Sequence, residues 1–271
     1  MKRFIAAVVI SLMLMSCQSQ ATISSMPKIL LPLYIYPNWY EPESYVWSNV
    51  VSAAGQVPIT AIINPYNGPN GRSPNEDYQR GLTDLKKTNI TLIGYVYTLY
   101  GDRPIAEVKR DIDLYDRYYD LDGIFLDETA SNAGQLDYYR ELYNYIKAKG
   151  DRYRVIINPG THTDEKYLAL PAADTAVIFE NYPQAWSQYL PQDYVRNYQP
   201  ERFVSLIHSV ANAADMKQYI DEAIAYNIGY IYVTDDSPDS DDGDPWNSLP
   251  SYWQEEVDYI RSFDRSSQLK N

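Results

Sequence analysis

The chain has 271 residues, and its 23 Lys and Arg against 36 Asp and Glu give a formal net charge of −13. So acidic a surface repels nucleic acid and anionic lipid headgroups, which excludes a nucleic-acid partner and favours a neutral or cationic ligand. The 28 tyrosines and 5 tryptophans are rings with a polar edge. Such an abundance is typical of surfaces that stack on sugars.

The N-terminal segment predicts export and lipid anchoring. Two basic residues precede an apolar stretch at 4–15 that is too short to span a bilayer as a mature helix, and "LMSC" then reads as a lipobox. We expect residues 1–16 to be a lipoprotein signal peptide, Cys17 to be lipidated and 17–27 to be a polar tether. An ordinary signal peptide with an incidental cysteine is the alternative. Gln18 after the cysteine favours the outer membrane of a Gram-negative cell, and removal of two basic residues leaves 21 against 36 acidic, a charge of −15.

Short apolar runs rich in β-branched residues alternate with helical segments along the rest of the chain. The predicted strands are 29–37, 60–65, 92–98, 123–128, 155–160, 176–181, 202–209 and 230–235. The predicted helices are 75–87, 104–119, 136–150, 215–227 and 251–263. Eight such strands in about 250 residues predict an α/β fold, a single-domain (β/α)₈ TIM barrel over 28–265 followed by a tail at 266–271.

Acidic residues end three of these strands, the fourth, the sixth and the eighth, at the edge where a barrel places its catalytic groups. Asp127 and Glu128 end the fourth strand and Glu180 ends the sixth. Strict alternation would put Asp127 and Glu128 on opposite faces, one of them inward. Inward carboxylates from these strands can converge to the roughly 5–5.5 Å of a retaining glycosidase, whereas an inverting enzyme needs about 6.5–9.5 Å. The apolar residues 177–179 before Glu180 predict a raised pKa for this carboxyl, which suits a general acid. The alternative is that these acids are solvent-exposed residues at the ends of strands.

Other polar and aromatic residues at the strand ends are candidates for contact with a substrate. They are Tyr36, Trp39, Asn64, Tyr95, Tyr97, Asn158, His208, Tyr232 and Asp235. Core packing is the alternative for the tyrosines inside strands, whereas Trp39 lies in a loop, where exposure is expected.

The sequence predicts neither a cofactor nor a metal. The chain has two histidines, no thiol beyond Cys17, no GxSxG elbow and no GxGxxG turn. The acidic segment 235–244 does not match the spacing of an EF-hand loop, so we expect a solvated loop at the rim.

The motifs "LLPLYIYP", "IINPYNGP", "IGYVYTLYGDRP", "DGIFLDE", "NPG" and "FEN" occur here in the order found in the spherulin-4-like family, which the chain resembles from about Ile29 to Asp236. Studied fungal members resemble glycoside hydrolases that cut α-1,4-linked N-acetylgalactosamine in galactosaminogalactan, and related polygalactosaminidases share the barrel. The resemblance implies that Asp127 is the nucleophile, Glu180 the acid/base and Glu128 a positioning group. The lipobox departs from the fungal pattern, so a bacterial exopolysaccharide is the implied substrate.

Two functional hypotheses remain at this point. The first is a retaining endo-glycoside hydrolase on an α-1,4-linked N-acetylgalactosamine and galactosamine polysaccharide. The second is a catalytically inactive surface lipoprotein that binds carbohydrate, which would keep the aromatic cleft without needing an acid pair. In either case we expect a monomer in the cell envelope whose only membrane contact is its lipid anchor.

Overall fold

The structure is a computed structural model that describes residues 26–150, 152–241 and 243–268, with side chains described as far as residue 264. The predicted signal peptide, Cys17 and most of the tether lie outside these residues. Within the described ranges, no helix combines the length and apolar character needed to cross a bilayer.

The described residues form a closed barrel of parallel strands, each paired with its neighbour in chain order, which confirms the predicted (β/α)₈ fold. The strands are β1 Lys28–Leu33, β2 Ile59–Ile63, β3 Thr91–Tyr97, β4 Gly123–Asp127, β5 Arg154–Ile157, β6 Thr175–Asn181, β7 Phe203–Ile207 and β8 Tyr230–Val233. The helices are α1 Trp47–Ala54, α2 Glu76–Leu85, α3 Ile105–Tyr119, α4 Leu136–Lys147, α5 Lys166–Ala169, α6 Pro183–Trp186, α7 Ala213–Ala225 and α8 Trp253–Gln268. Most predicted strands end earlier than expected, since the polar residues after each apolar run leave the sheet. The sequence did not predict α1, α5 or α6.

A β-bulge in β6 determines which face of the sheet Glu180 occupies. Val177 pairs with Val204, but the next pair joins Phe179 to Ser205, so Ile178 is an extra residue on this strand. One extra residue shifts every later side chain to the opposite face of the sheet. Without the bulge, the side chain of Phe179 would occupy the position that the side chain of Glu180 has in the structure.

The barrel closes at a short seam between β1 and β8. Only two residue pairs join these strands, Lys28 with Tyr230 and Ile29 with Ile231. Above them the Val233 amide donates 3.0 Å to the carboxyl of Glu256 on α8, because β1 provides no partner there. A buried backbone amide needs such an acceptor, so a helix side chain completes the closure.

Candidate active site

A cavity of about 420 Å³ opens at the carboxyl ends of the strands and contains all three predicted acids. Its lining residues are Tyr100, Asp127, Glu128, Asn158, Pro159, Gly160, Glu180, His208, Pro238, Pro245 and Trp246. In barrels of this kind, the loops that follow the strands build the active site on this face. The cavity is therefore the candidate active site.

One side-chain amide connects the two central acids. The Nδ2 atom of Asn158 donates 2.7 Å to Oδ1 of Asp127 and 2.6 Å to Oε2 of Glu180, so these two oxygens are at most 5.3 Å apart. This upper limit is compatible with the roughly 5–5.5 Å of retaining glycosidases and lies below the roughly 6.5–9.5 Å of inverting ones. Asn158, which the sequence predicted to bind substrate, thus holds the acids in place.

Burial raises the pKa of both acids, but their hydrogen bonds differ. The pKa of Glu180 rises to about 7, first because of burial and then because of the Asp127 charge. Burial also raises the pKa of Asp127, while donors from Tyr95, the Glu128 backbone and Asn158 oppose that rise. Donors around a carboxylate favour its charged form, whereas a neighbouring negative charge favours the neutral form. Of the two, Glu180 is better suited to hold a proton near neutral pH.

The position of Glu128 differs from the sequence-based prediction. Strict alternation placed Asp127 and Glu128 on opposite faces, yet both line the cavity. Strand β4 ends at Asp127, and Glu128 adopts a left-handed backbone with φ of 50°. A non-glycine residue in this region is uncommon and strained, and it ends the alternation of the strand. The Glu128 carbonyl accepts from the Tyr100 amide at 2.6 Å and from the Thr98 hydroxyl at 2.8 Å, which holds the turn.

Three aromatic residues near the acids were missed by the sequence analysis. The indole of Trp246, in the loop between β8 and α8, donates a hydrogen bond to Glu180. Tyr34 packs edge-on against Tyr95 with 5.7 Å between ring centroids, and the Asp127 charge contributes to its raised pKa. Tyr100 is 61% exposed and lines the cavity. All three residues lie near the ends of strands or in the loops after them, and this position was the signal that could have found them. Of the loop that contains Trp246, only the acidic character was considered in the sequence analysis.

Of the other predicted contacts, one lines the cavity and one contacts an acid of the pair. His208 lines the cavity, and burial lowers its pKa, so it is neutral near pH 7. Tyr95 donates to Asp127 from a buried position and orients the carboxylate. Tyr97 lies beside Asp127 in the strand register, but its ring packs against the Arg103 guanidinium at 4.0 Å.

Three predicted substrate contacts do not line the cavity. Tyr232 has no exposed surface and packs beneath Trp246, with 6.0 Å between ring centroids. Asn64 accepts from the Gly68 amide at 2.8 Å and stabilises its own loop. Asp235 accepts from the backbone amide and the hydroxyl of Ser251, just before α8. Tyr232 lies inside β8 and is buried, whereas Asn64 and Asp235 follow their strands and hydrogen-bond within their own loops.

The last two predicted contacts, Tyr36 and Trp39, are exposed on the loop after β1 and do not line the cavity. Both donate to the carboxylate of Asp77 on α2, Trp39 at 2.9 Å. Within the described ranges, no cluster of three or more His, Cys, Asp or Glu side chains is arranged to hold a metal ion.

Comparison with known proteins assigns this sequence to a family. The family model "Spherulation-specific family 4" matches residues 28–260. Spherulin-4 of Physarum polycephalum is 34% identical over 252 residues, which cover 89% of this chain and 72% of that protein.

Solved structures agree with that relationship. The structure is similar to Aspergillus clavatus Sph3 crystallised in complex with GalNAc, with a TM-score of 0.74 and 27% identity over 88% of this chain and 99% of that one. A GH18 chitinase from Pseudoalteromonas aurantia shares the fold, with a TM-score of 0.53 and 11% identity over 89% of this chain and 100% of that one. The chain belongs to spherulation-specific family 4.

Proposed function

We propose that this protein is a retaining endo-glycoside hydrolase that cleaves α-1,4-linked polysaccharides of N-acetylgalactosamine and galactosamine. The observation that supports it most is the shared Asn158 amide, which limits the separation of the Asp127 and Glu180 oxygens to at most 5.3 Å. The similarity to Sph3, whose crystal structure holds GalNAc, supports the choice of sugar.

In the first step, an oxygen of Asp127 attacks the anomeric carbon and forms a glycosyl ester. The bond from that carbon to the leaving oxygen breaks, and Glu180 gives this oxygen its proton. The geometry suits this division, because hydrogen bonds stabilise the charged form of Asp127 while the pKa of Glu180, about 7, keeps a proton on it.

In the second step, Glu180, now ionised, takes a proton from a water molecule. The water oxygen bonds to the anomeric carbon, the ester bond to Asp127 breaks, and the configuration of the sugar is retained. Glu128 lines the same cavity and has one carboxylate oxygen without a hydrogen-bond partner among the described residues. We assign to it the positioning of a substrate hydroxyl or amide group.

Product analysis with matched variants tests the proposal. Wild-type protein, Asp127→Asn and Glu180→Gln are incubated with a defined α-1,4-linked N-acetylgalactosamine polymer, and the fragments are identified by mass spectrometry. We expect internal cleavage by wild type and loss of at least 100-fold in each variant. Early products observed by NMR should keep the anomeric configuration of the substrate.

Other outcomes would contradict specific parts of the proposal. Cleavage at the wild-type rate by both variants would remove the catalytic assignment. An inverted first product would remove the nucleophile role of Asp127. Binding of polymer by wild type without any fragments would favour the carbohydrate-binding alternative.

We also propose that the protein is exported and anchored in the cell envelope through Cys17, because the lipobox motif "LMSC" ends at that residue. Metabolic labelling with an alkyne fatty acid should tag wild-type protein and not Cys17→Ser. Equal labelling of both proteins would contradict the anchor without affecting the enzymatic proposal.

A further inference from the structure

Exposed apolar side chains are unevenly distributed over the molecule. Among the described residues, eight large hydrophobic side chains are exposed, and six of them lie on the loops after β1, β2 and β3. Five of the six are aromatic and are called the aromatic rim below: Tyr36, Trp39, Tyr40, Tyr66 and Tyr100. Because these strands are neighbours in the barrel, their loops are adjacent on the catalytic face. An exposed cluster of this kind is typical of a binding surface.

Hydrogen bonds and packing already orient part of the aromatic rim. The carboxylate of Asp77 accepts from the Tyr36 hydroxyl and from Trp39 Nε1, so the polar groups of both rings are paired within the protein. Tyr40 packs edge-on against Trp39, with 5.7 Å between ring centroids. Ordering these side chains in advance reduces the entropy lost when a ligand binds.

Tyr100 connects the aromatic rim to the acid pair. Its ring lines the cavity that contains Asp127 and Glu180. Leu99 and Tyr100 both have left-handed backbones, with φ of 48° and 56°. Such a conformation costs of order 1–3 kcal/mol per residue and persists only where its surroundings enforce it. Here the Tyr100 amide donates to the carbonyl of Glu128, which holds the Tyr100 main chain beside the turn that follows Asp127.

We propose that the aromatic rim binds sugar units of the polysaccharide that extend out of the cavity on the β1–β3 side. This inference rests on the proposed function and adds the direction in which the bound polymer leaves the cavity. Rings whose polar groups are paired can offer their flat surfaces to the apolar faces of sugars. The net charge of −13 disfavours an anionic membrane as the occupant, and the position of Tyr100 joins the surface to the cavity.

Chain-length preference tests the inference. The double variant Trp39→Ala/Tyr66→Ala is compared with wild type on a long polymer and on a tetrasaccharide of the same linkage. We expect the ratio of kcat/KM for the polymer to that for the tetrasaccharide to fall about tenfold, because only the polymer extends beyond Tyr100 to Trp39 and Tyr66. Leu170→Ala is the matched control, since Leu170 is an exposed apolar residue in the connection from α5 to β6, at the opposite end of the barrel. It should leave the ratio unchanged.

A binding measurement separates this inference from the proposed function. In a Glu180→Gln background, polymer affinity should fall about tenfold on adding the double substitution, whether or not wild type hydrolyses the polymer. Unchanged polymer affinity and an unchanged ratio would overturn the inference. An equal loss on both substrates would also overturn it, because the rings would then act on the cavity and not on distant sugars.

Discussion

Two glutamates, Glu180 in the cavity and Glu256 at the seam, both have a raised pKa but differ in their surroundings. Burial raises the pKa of Glu180 to about 7 and that of Glu256 to about 8. Glu180 lines a cavity beside a second carboxylate. Glu256 has no exposed surface, accepts from the Val233 amide, and has one oxygen unpaired among the described residues.

The comparison shows that a raised pKa alone does not identify a catalytic acid. Desolvation raises the pKa of any buried carboxyl, including one that only completes a structure. A catalytic role also needs access for the substrate and a second group at the right distance. Glu180 meets both conditions and Glu256 meets neither, so the first is assigned to catalysis and the second to barrel closure.

The largest expected effect is a difference in activity between two equivalent substitutions. Glu180→Gln should lower kcat on the polymer by about 100- to 10,000-fold, because it removes the proton donor. Glu256→Gln should stay within about twofold of wild type, since the Gln oxygen can still accept from Val233. Both are measured at pH 6 on the same polymer, and a large loss of activity in folded Glu256→Gln would break the comparison.

The second prediction concerns stability and pH. Between about pH 4.5 and 8, Glu256 is protonated in the folded protein and ionised in the unfolded chain, so its contribution to the free energy of unfolding falls as pH rises. The slope is about 1.4 kcal/mol per pH unit. Glu256→Gln removes this contribution, and urea unfolding at pH 5, 6 and 7 should show a flatter profile than wild type. The same slope in both proteins would show that Glu256 is not protonated in the fold.

A third prediction addresses how Asn158 holds the acids. Its hydrogen bonds lower the pKa of both Asp127 and Glu180, so Asn158→Ala should move the bell-shaped profile of kcat/KM to higher pH. We expect activity to fall by about 10- to 100-fold as well, because the acids lose their common anchor. A lower rate with an unmoved pH profile would show that Asn158 contacts only the substrate.

The smallest effect is expected for Trp246→Phe, which keeps a ring and removes the donor to Glu180. The alkaline limb of the profile should move slightly upward, because that hydrogen bond lowers the pKa of Glu180. The equivalent control is Trp253→Phe near the seam, whose Nε1 has no hydrogen-bond partner among the described residues. It should leave the limb in place, and a shift toward lower pH in Trp246→Phe would contradict the role of the indole.

The barrel and its acids could be predicted from local patterns, since each strand is a short apolar run and each acid directly follows one. Helix α2 was also predictable, because the Asn75 side chain caps it by accepting from the amides of Asp77 and Tyr78. Helix α1 has eight residues, no capping side chain and no acidic residue in its first turn. It therefore carries none of the usual start signals, and tertiary packing determines it.

The details of the site depend on backbone conformations and distant contacts that no local pattern contains. The left-handed turn at Glu128 and the bulge at Ile178 decide which carboxylates enter the cavity. Trp246 reaches Glu180 from a loop more than sixty residues away in the chain. Asp235 was correctly predicted to lie near the end of a strand. Its hydrogen bond with Ser251, which is distant in the sequence, gives it a structural role that the strand pattern did not predict.

The hydrogen bond between the Tyr100 amide and the Glu128 carbonyl limits which loops of this barrel can be exchanged independently. Barrel enzymes commonly acquire new specificities by exchanging single loops above a constant framework. Here the loops after β3 and β4 are joined through their main chains, and the Thr129 amide joins the second of them to the Asn158 carbonyl after β5, so neighbouring loops depend on one another. Replacement of the loop after β3 alone would remove the Tyr100 amide and the Thr98 hydroxyl from the Glu128 carbonyl, and the turn that brings Glu128 into the cavity would lose these two donors.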